Sequence, residues 1–141
     1  MDCRPYRWHQ GFIKRNGEFT VNIALVENKK TLIGVIFVPV TGELYFSYKE
    51  LGSYKFDLDL KDYDVKTLQA KANKLHLQKE DKTFTIVASR SHMSAETERY
   101  IKQMREIYGD VKLISKGSSL KLCVVAEGAA NCCPRFAPTM E

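Results

Sequence analysis

Between residues 19 and 25 the chain reads Phe-Thr-Val-Asn-Ile-Ala-Leu, with an apolar side chain at every second position. A period of two puts alternate side chains on opposite faces of a strand. Two more strand-like runs follow at 32–40 and 43–48, set off by the turn signals Glu27-Asn28-Lys29 and Thr41-Gly42. A fourth, short run at 54–56 follows the turn Leu51-Gly52-Ser53. Strands joined by such short turns pair antiparallel. From 57 to 81 the segment is polar and weakly periodic, and it reads as a connection that separates two subdomains.

Beyond it the period changes. Residues 83–88, Thr-Phe-Thr-Ile-Val-Ala, predict a strand, and Ser94 predicts the cap of a helix running to Tyr108. Tyr100, Ile101, Met104, Ile107 and Tyr108 fall at helical spacing, and Gly109 supplies a left-handed stop. A strand at 111–115 comes next, then a helix capped by Ser118 or Ser119 and running through Glu127 to Gly128. A last short strand is expected within 129–136. Strand, helix, strand, helix, strand is an α/β order. The first ten residues, MDCRPYRWHQ, follow no period at all.

Composition narrows the function classes. At 141 residues, 44% hydrophobic and 28% charged, the chain predicts a packed core rather than disorder. The apolar run 32–40 is too short to span a bilayer, and no charged-then-apolar leader follows Met1, so a soluble, cytoplasmic product is expected. Four cysteines, Cys3, Cys123, Cys132 and Cys133, lack the paired spacing of a zinc site and read as reduced thiols. The net charge of +5 suits an anionic ligand. The basic residues are scattered, however, and no nucleic-acid partner is expected.

Two places concentrate candidate chemistry. Ser89-Arg90-Ser91-His92 stands where the first α/β strand gives way to its helix, and Lys116-Gly117-Ser118-Ser119-Leu120-Lys121 stands at the equivalent point after the second. If these strands are parallel, both corners open on one sheet edge, where α/β sheets receive ligands. Helix-start N–H groups, serine hydroxyls and the cations Arg90, Lys116 and Lys121 suit a phosphate. The bland alternative is ordinary serine caps beside solvated lysines. Spacing alone carries the reading to a phosphate-bearing small molecule.

The blocks KRNGEFTVNIALVEN, GVIFVPVTGELYF, VASRSH, GSSLKLCVVAEG and PRFAPTME, in that order from Gly11 to Glu141, resemble the bacterial 3'(2'),5'-bisphosphate nucleotidases of the CysQ type, within the inositol monophosphatase-like superfamily. The resemblance implies an α/β fold of the α+β sugar-phosphatase-like kind: a partial antiparallel sheet followed by a βαβαβ unit, incomplete at both ends. Residues 11–81 would be the remainder of a metal-site subdomain, and 82–141 a second subdomain truncated at its C-terminus. It implies removal of the 3'-phosphate of adenosine 3',5'-bisphosphate, with Mg²⁺ activating water and neutralising the leaving oxygen. Carried over by motif, the substrate-binding residues are His92, Ser118, Lys121 and Arg135. Peripheral attachment to the inner membrane occurs in some relatives. An inositol or sugar phosphate phosphatase, or a non-catalytic binder of 3'-phosphonucleotides, are the alternatives.

The family's metal ligands come from an upstream Glu-Glu pair, a D-P-[IL]-D-G-T motif and a W-D-x-A-A-G motif. None of them stands in this sequence, and the positions of the D-P-[IL]-D carboxylates are filled by Arg4 and Arg7. The genetic code offers a reason. Codons permitted for MDCRPYRWHQ, read one base later, spell W-I-V-D-P-I-D-G-T, with the Trp forced by Met1-Asp2 and the Gly forced by Trp8-His9. Residues 1–10 are therefore expected to be an out-of-frame segment. Trp8, His9 and Cys3 then carry no selected role, no Mg²⁺ is expected on this chain, and no catalytic residue is assigned.

Overall fold

The computed structural model describes residues 17–58, 71–75, 83–89 and 93–136. The first of these segments forms an antiparallel meander of β1 (Val21–Glu27), β2 (Lys30–Val38), β3 (Glu43–Tyr48) and β4 (Gly52–Asp57), to which the two-residue β5 (Asn73–Lys74) adds on the far side of β4. The predicted strands are all present. Two of them shift: 19–25 becomes Val21–Glu27 and 32–40 becomes Lys30–Val38, because the β1–β2 pairing extends to the turn residues Asn28 and Lys29, both at positive φ. The run expected at 54–56 lengthens to Gly52–Asp57 by pairing with the whole of β3. β5 lies within the segment read as a connection. It forms by backbone pairing to Tyr54 and Lys55, which leaves no periodic trace in two residues.

The second half contains β6 (Phe84–Ala88), α1 (Ala95–Tyr108), β7 (Val111–Ser115) and α2 (Leu120–Ala126). β6 and β7 pair in parallel from Phe84↔Val111 to Ala88↔Ser115. The Ser94 hydroxyl accepts from the Thr97 N–H at 3.3 Å, and the Gly109 N–H returns to the Arg105 carbonyl at φ 75, as the sequence predicts. Both termini are thus satisfied by the residues that the capping rules require. The expected final strand reduces to a parallel bridge between Ile86 and Cys132. Asn131 on its own fastens both sides of Thr85, through its N–H to the carbonyl and its side-chain oxygen from the N–H, each at 2.8 Å.

Register decides which face of the meander is covered. Ile36, Tyr45 and Lys55 stand side by side across β2, β3 and β4, and Val38 and Glu43 are one pleat further along the same face. α2 lies on this face. Its stripe Leu120, Cys123 and Glu127 recurs at helical spacing, and Leu120 and Cys123 are buried with Val38 and Tyr45. α2 also contacts β6, and α1 packs on β7. Ile86, Ile101 and Val111 form the second buried cluster, between the parallel strands and α1. Each such side chain removed from water contributes roughly 1.5–3 kcal/mol.

Where α2 ends, a polar cluster is enclosed. Lys55 Nζ lies 2.6 Å from Glu43 Oε1 and 2.9 Å from Glu127 Oε1. The Tyr45 hydroxyl donates to Glu127 and lies 3.3 Å from Glu43 Oε1. Burial pushes the Glu43 carboxyl up, but hydrogen bonds from Lys55, Thr41 and Tyr45 and the Lys55 charge more than offset it, and the net shift is downward. Burial opposes the Lys55 charge, and the two carboxylates outweigh it and raise the group. Burial and then the Glu127 bond hold the Tyr45 phenol well above its ordinary range.

The signs fix a pH dependence. The lowered Glu43 contributes stability that is present above its ordinary value of 4.5 and lost as pH falls through the lower folded value. The raised Tyr45 and Lys55 contribute below their ordinary values of 10.0 and 10.5 and lose that contribution as pH rises through the higher folded values. Urea midpoints are therefore expected to form a plateau that falls at both ends. Lys55→Met leaves two carboxylates facing each other and costs about 2 kcal/mol near neutrality, a figure reduced for the cluster's partial exposure. A variant within ~0.5 kcal/mol of the parent chain would show that the cluster does not hold the halves together.

Candidate functional site

Parallel pairing brings the C-terminal ends of β6 and β7 side by side, with Ala88 opposite Ser115. The Lys116 N–H donates to the Ala88 carbonyl at 3.3 Å, which carries the pairing one residue past the strand. Both predicted corners therefore leave the same sheet edge. Ser89 is half-buried at that edge; Arg90, Ser91 and His92 lie outside the described residues. Cys3, Trp8 and His9 lie outside them too.

The second corner is described in full, and it differs from a simple helix-start cradle. α2 spans seven residues, with Ser119 at its N-cap position in helical conformation and making no side-chain capping bond. Ser119 thus holds the predicted N-cap position without a side-chain bond to the helix. Ser118 takes a left-handed backbone, φ 49. Its hydroxyl instead meets the Thr20 hydroxyl at 2.8 Å. The Gly117 N–H donates to Glu18 Oε2 at 3.1 Å, so that donor is already engaged by a carboxylate. Lys121 Nζ donates to the Ser118 carbonyl at 2.9 Å. One bond uses one of three ammonium donors, so two remain to meet an anion.

Arg135 stands in the segment after α2, two residues beyond Cys133. Burial pushes the Cys133 thiol up, and the positive charges of Lys121 and Arg135, both acting on it, oppose that shift. Both charges that the sequence assigned to substrate binding thus act on this thiol. Arg135 is exposed, while Ser118 and Lys121 are half-buried. A hydrogen bond joins Ser118 and Lys121, Arg135 is exposed in the segment after α2, and His92 lies outside the described residues. Cys123, Cys132 and Cys133 are free thiols, and burial followed by the Glu127 and Glu43 charges pushes Cys123 up to about 11.

A cleft of about 450 Å³ runs along α2 between the sheet face and Leu122, Cys123 and Ala126. Its lining holds no charged residue, and the charged corner rather than this cleft suits a phosphate. Among the described residues no group of three or more His, Cys, Asp or Glu converges as a metal site would require. Glu43 and Glu127 do converge, but a lysine ammonium occupies the point between them. The described residues therefore do not fit a Mg²⁺ centre.

Glu18 and Thr20 were invisible as site residues in the sequence, since they meet Gly117 and Ser118 across separations of 99 and 98 residues. Glu127 did leave a signal. It falls on the stripe of Leu120 and Cys123, where a buried carboxylate demands a cation.

The profile of the inositol monophosphatase family matches residues 10–141. The 3'(2'),5'-bisphosphate nucleotidase CysQ of Escherichia coli K12 is 41% identical over 128 residues, which is 91% of this chain and 45% of the relative. The CysQ nucleotidase of Haemophilus influenzae is 30% identical, covering 97% of this chain and 46% of its own. The crystal structure of CysQ from Bacteroides thetaiotaomicron superposes with a TM-score of 0.82 at 49% identity, over 94% of this chain and 50% of that one. Mycobacterium tuberculosis SuhB shares the fold alone, with a TM-score of 0.57 at 17% identity over 85% of this chain and 46% of its own. The chain spans about half the length of the curated relatives it matches, near 45% for most of them. By profile, sequence and fold together, the chain belongs to the inositol monophosphatase family.

Proposed function

We propose that this chain carries the nucleotide-binding half of a 3'(2'),5'-bisphosphate nucleotidase and receives adenosine 3',5'-bisphosphate at the corner of Ser118, Lys121 and Arg135. The observation that carries this reading is the degree of likeness. The CysQ nucleotidases share 41% and 49% identity with it, whereas the SuhB and inositol monophosphatase structures share 14% to 21%. Those figures favour a nucleotide over an inositol phosphate as the ligand. Support from the corner itself is chemical. Lys121 spends one ammonium donor on the Ser118 carbonyl and Arg135 is exposed, and an ammonium and a guanidinium are the groups that pair with phosphate oxygens.

The reading extends to catalysis. In the intact family Mg²⁺ supplies the activated water and stabilises the departing oxygen. Arg4 and Arg7 stand at the positions where the family motif places carboxylates, and an arginine cannot ligate Mg²⁺. The chain's own residues can bind and orient a phosphate at the corner, and no hydrolytic step is assigned to them. We infer that residues 1–10 are an out-of-phase rendering of the lost motif; the family match starting at residue 10 supports this. His92 belongs to the same proposed site by motif. Action on a by-product of sulfate assimilation, a cytoplasmic location and peripheral membrane attachment are further parts of the proposal. Among the described residues no helix is long and apolar enough to cross a membrane.

Calorimetric titration with adenosine 3',5'-bisphosphate is expected to show saturable binding, stronger than for inositol 1-phosphate. Lys121→Ala and Arg135→Ala should each weaken it by roughly tenfold, the worth of one charge-assisted hydrogen bond. Equal affinity for both phosphates would favour the inositol phosphate reading. Binding of unrelated RNA with steep salt dependence would favour a nucleic-acid role.

With Mg²⁺ present, the 141-residue chain is expected to release no phosphate from the bisphosphate. Turnover by this chain would contradict the account of its first ten residues. The gene's nucleotides supply a second check. Shifted by one base, they should spell the aspartate-containing loop, and a gene that does not do so excludes the frame explanation.

A further inference from the structure

The segment 116–119 is held from two sides. From the segment ahead of β1, Glu18 Oε2 accepts the Gly117 N–H at 3.1 Å and the Thr20 hydroxyl meets the Ser118 hydroxyl at 2.8 Å. From α2, Lys121 Nζ donates to the Ser118 carbonyl at 2.9 Å. A Cβ added to Gly117 would lie 3.0 Å from Glu18 Oε2, so the carboxylate sits against bare backbone. Ser118 keeps a φ of 49, which a non-glycine residue holds only where its surroundings impose it. Thr20 and Lys121 together fix both the hydroxyl and the carbonyl of this one strained residue.

We propose that Glu18 and Thr20 are positioning residues for the phosphate-binding corner, acting through Gly117 and Ser118 on the Lys121 ammonium. The proposal deepens the nucleotide-binding reading above and rests on it. A lysine head on a flexible stem points where its first hydrogen bond holds it. Here that bond is to a carbonyl whose orientation is set by the left-handed turn at Ser118, and the turn is pinned to residues ahead of β1. Release of the pins lets Ser118 relax toward an ordinary conformation and swings the carbonyl, and the ammonium moves with it. The Glu18 carboxylate has a second consequence. By taking the Gly117 N–H it leaves phosphate recognition to side chains, which makes the corner dependent on Lys121 geometry.

The test uses the full chain with adenosine 3',5'-bisphosphate as the probe. Thr20→Val keeps the shape of the side chain and removes the hydroxyl; Thr20→Ser keeps the hydroxyl. Expected are affinity lowered on the order of tenfold in Thr20→Val, restoration in Thr20→Ser, and unchanged thermal midpoints in both. A purely structural role would not discriminate these two at constant stability. Equal affinity in Thr20→Val and the parent chain, or equally weak binding in Thr20→Ser, would overturn the proposal.

A second measurement separates its failure from that of the nucleotide reading. In ¹⁵N-labelled protein, Glu18→Ala and Thr20→Val should move the amide signals of residues 116–119 and speed their exchange, with those of β6 and β7 unchanged. A parent chain that binds no bisphosphate would overturn the nucleotide reading, and the proposal with it as far as binding goes. Amide signals that do not move would overturn the pinning directly, whatever the ligand result.

Discussion

Lys55 places one ammonium between carboxylates from the two halves of the chain, Glu43 on β3 and Glu127 at the end of α2. A partly buried charge pair is stable only when each partner stays in place, because removing one strands the other in a poor solvent for ions. That condition makes the cluster a registry device as well as a contact. α2 can rest on the meander in one axial position only, the one that brings Glu127 over Lys55. The apolar stripe of Leu120 and Cys123 against Val38 and Tyr45 supplies area, and area alone would tolerate sliding along the sheet. Once α2 is fixed, the segment ahead of it reaches the residues before β1, and the corner at Gly117 and Ser118 takes its shape.

The same arrangement orders the layers. The meander's covered face meets α2, α2 meets β6, and the parallel strands meet α1. β6 is buried along Thr85, Ile86, Val87 and Ala88 because it has neighbours on both faces. β1 contrasts with it. All seven of its residues are exposed, Ile23 at 63%, and its outer edge has no strand partner among the described residues. An apolar edge of this kind is a pairing liability in any single-layer sheet. The bulge between Leu25 and Val26 bends part of it away from a flat template.

Local rules made much of this fold legible. The alternation of 19–25, the cap at Ser94 and the stop at Gly109 each act within a few residues, so the chain itself carries the signal. Glu43–Tyr48 and Val111–Ser115 begin and end where the sequence places them, since turn residues bound both. The shifts in β1 and β2 arose because ladder pairing, which is a property of two strands together, extended to the turn at Asn28 and Lys29. Ser119 takes the N-cap position before α2, while the neighbouring Ser118 hydroxyl goes to Thr20, 98 residues away, rather than to the helix. Ser118, Lys121 and Arg135 are candidates by their likeness to family blocks; how the Gly117–Ser118 turn beside Lys121 is held belongs to contacts that no window of sequence contains.

The central claim is that α2, the corner ahead of it and the antiparallel meander form one cooperative unit through Lys55. Native-state hydrogen exchange tests this most directly, by comparing the opening free energies of the Cys123 and Val125 amides in α2 with those of Ile36 and Tyr45 in the sheet. The account predicts a common opening for both sets, abolished in Lys55→Met. Exchange of α2 through its own local opening, independent of the sheet and indifferent to Lys55, would contradict it.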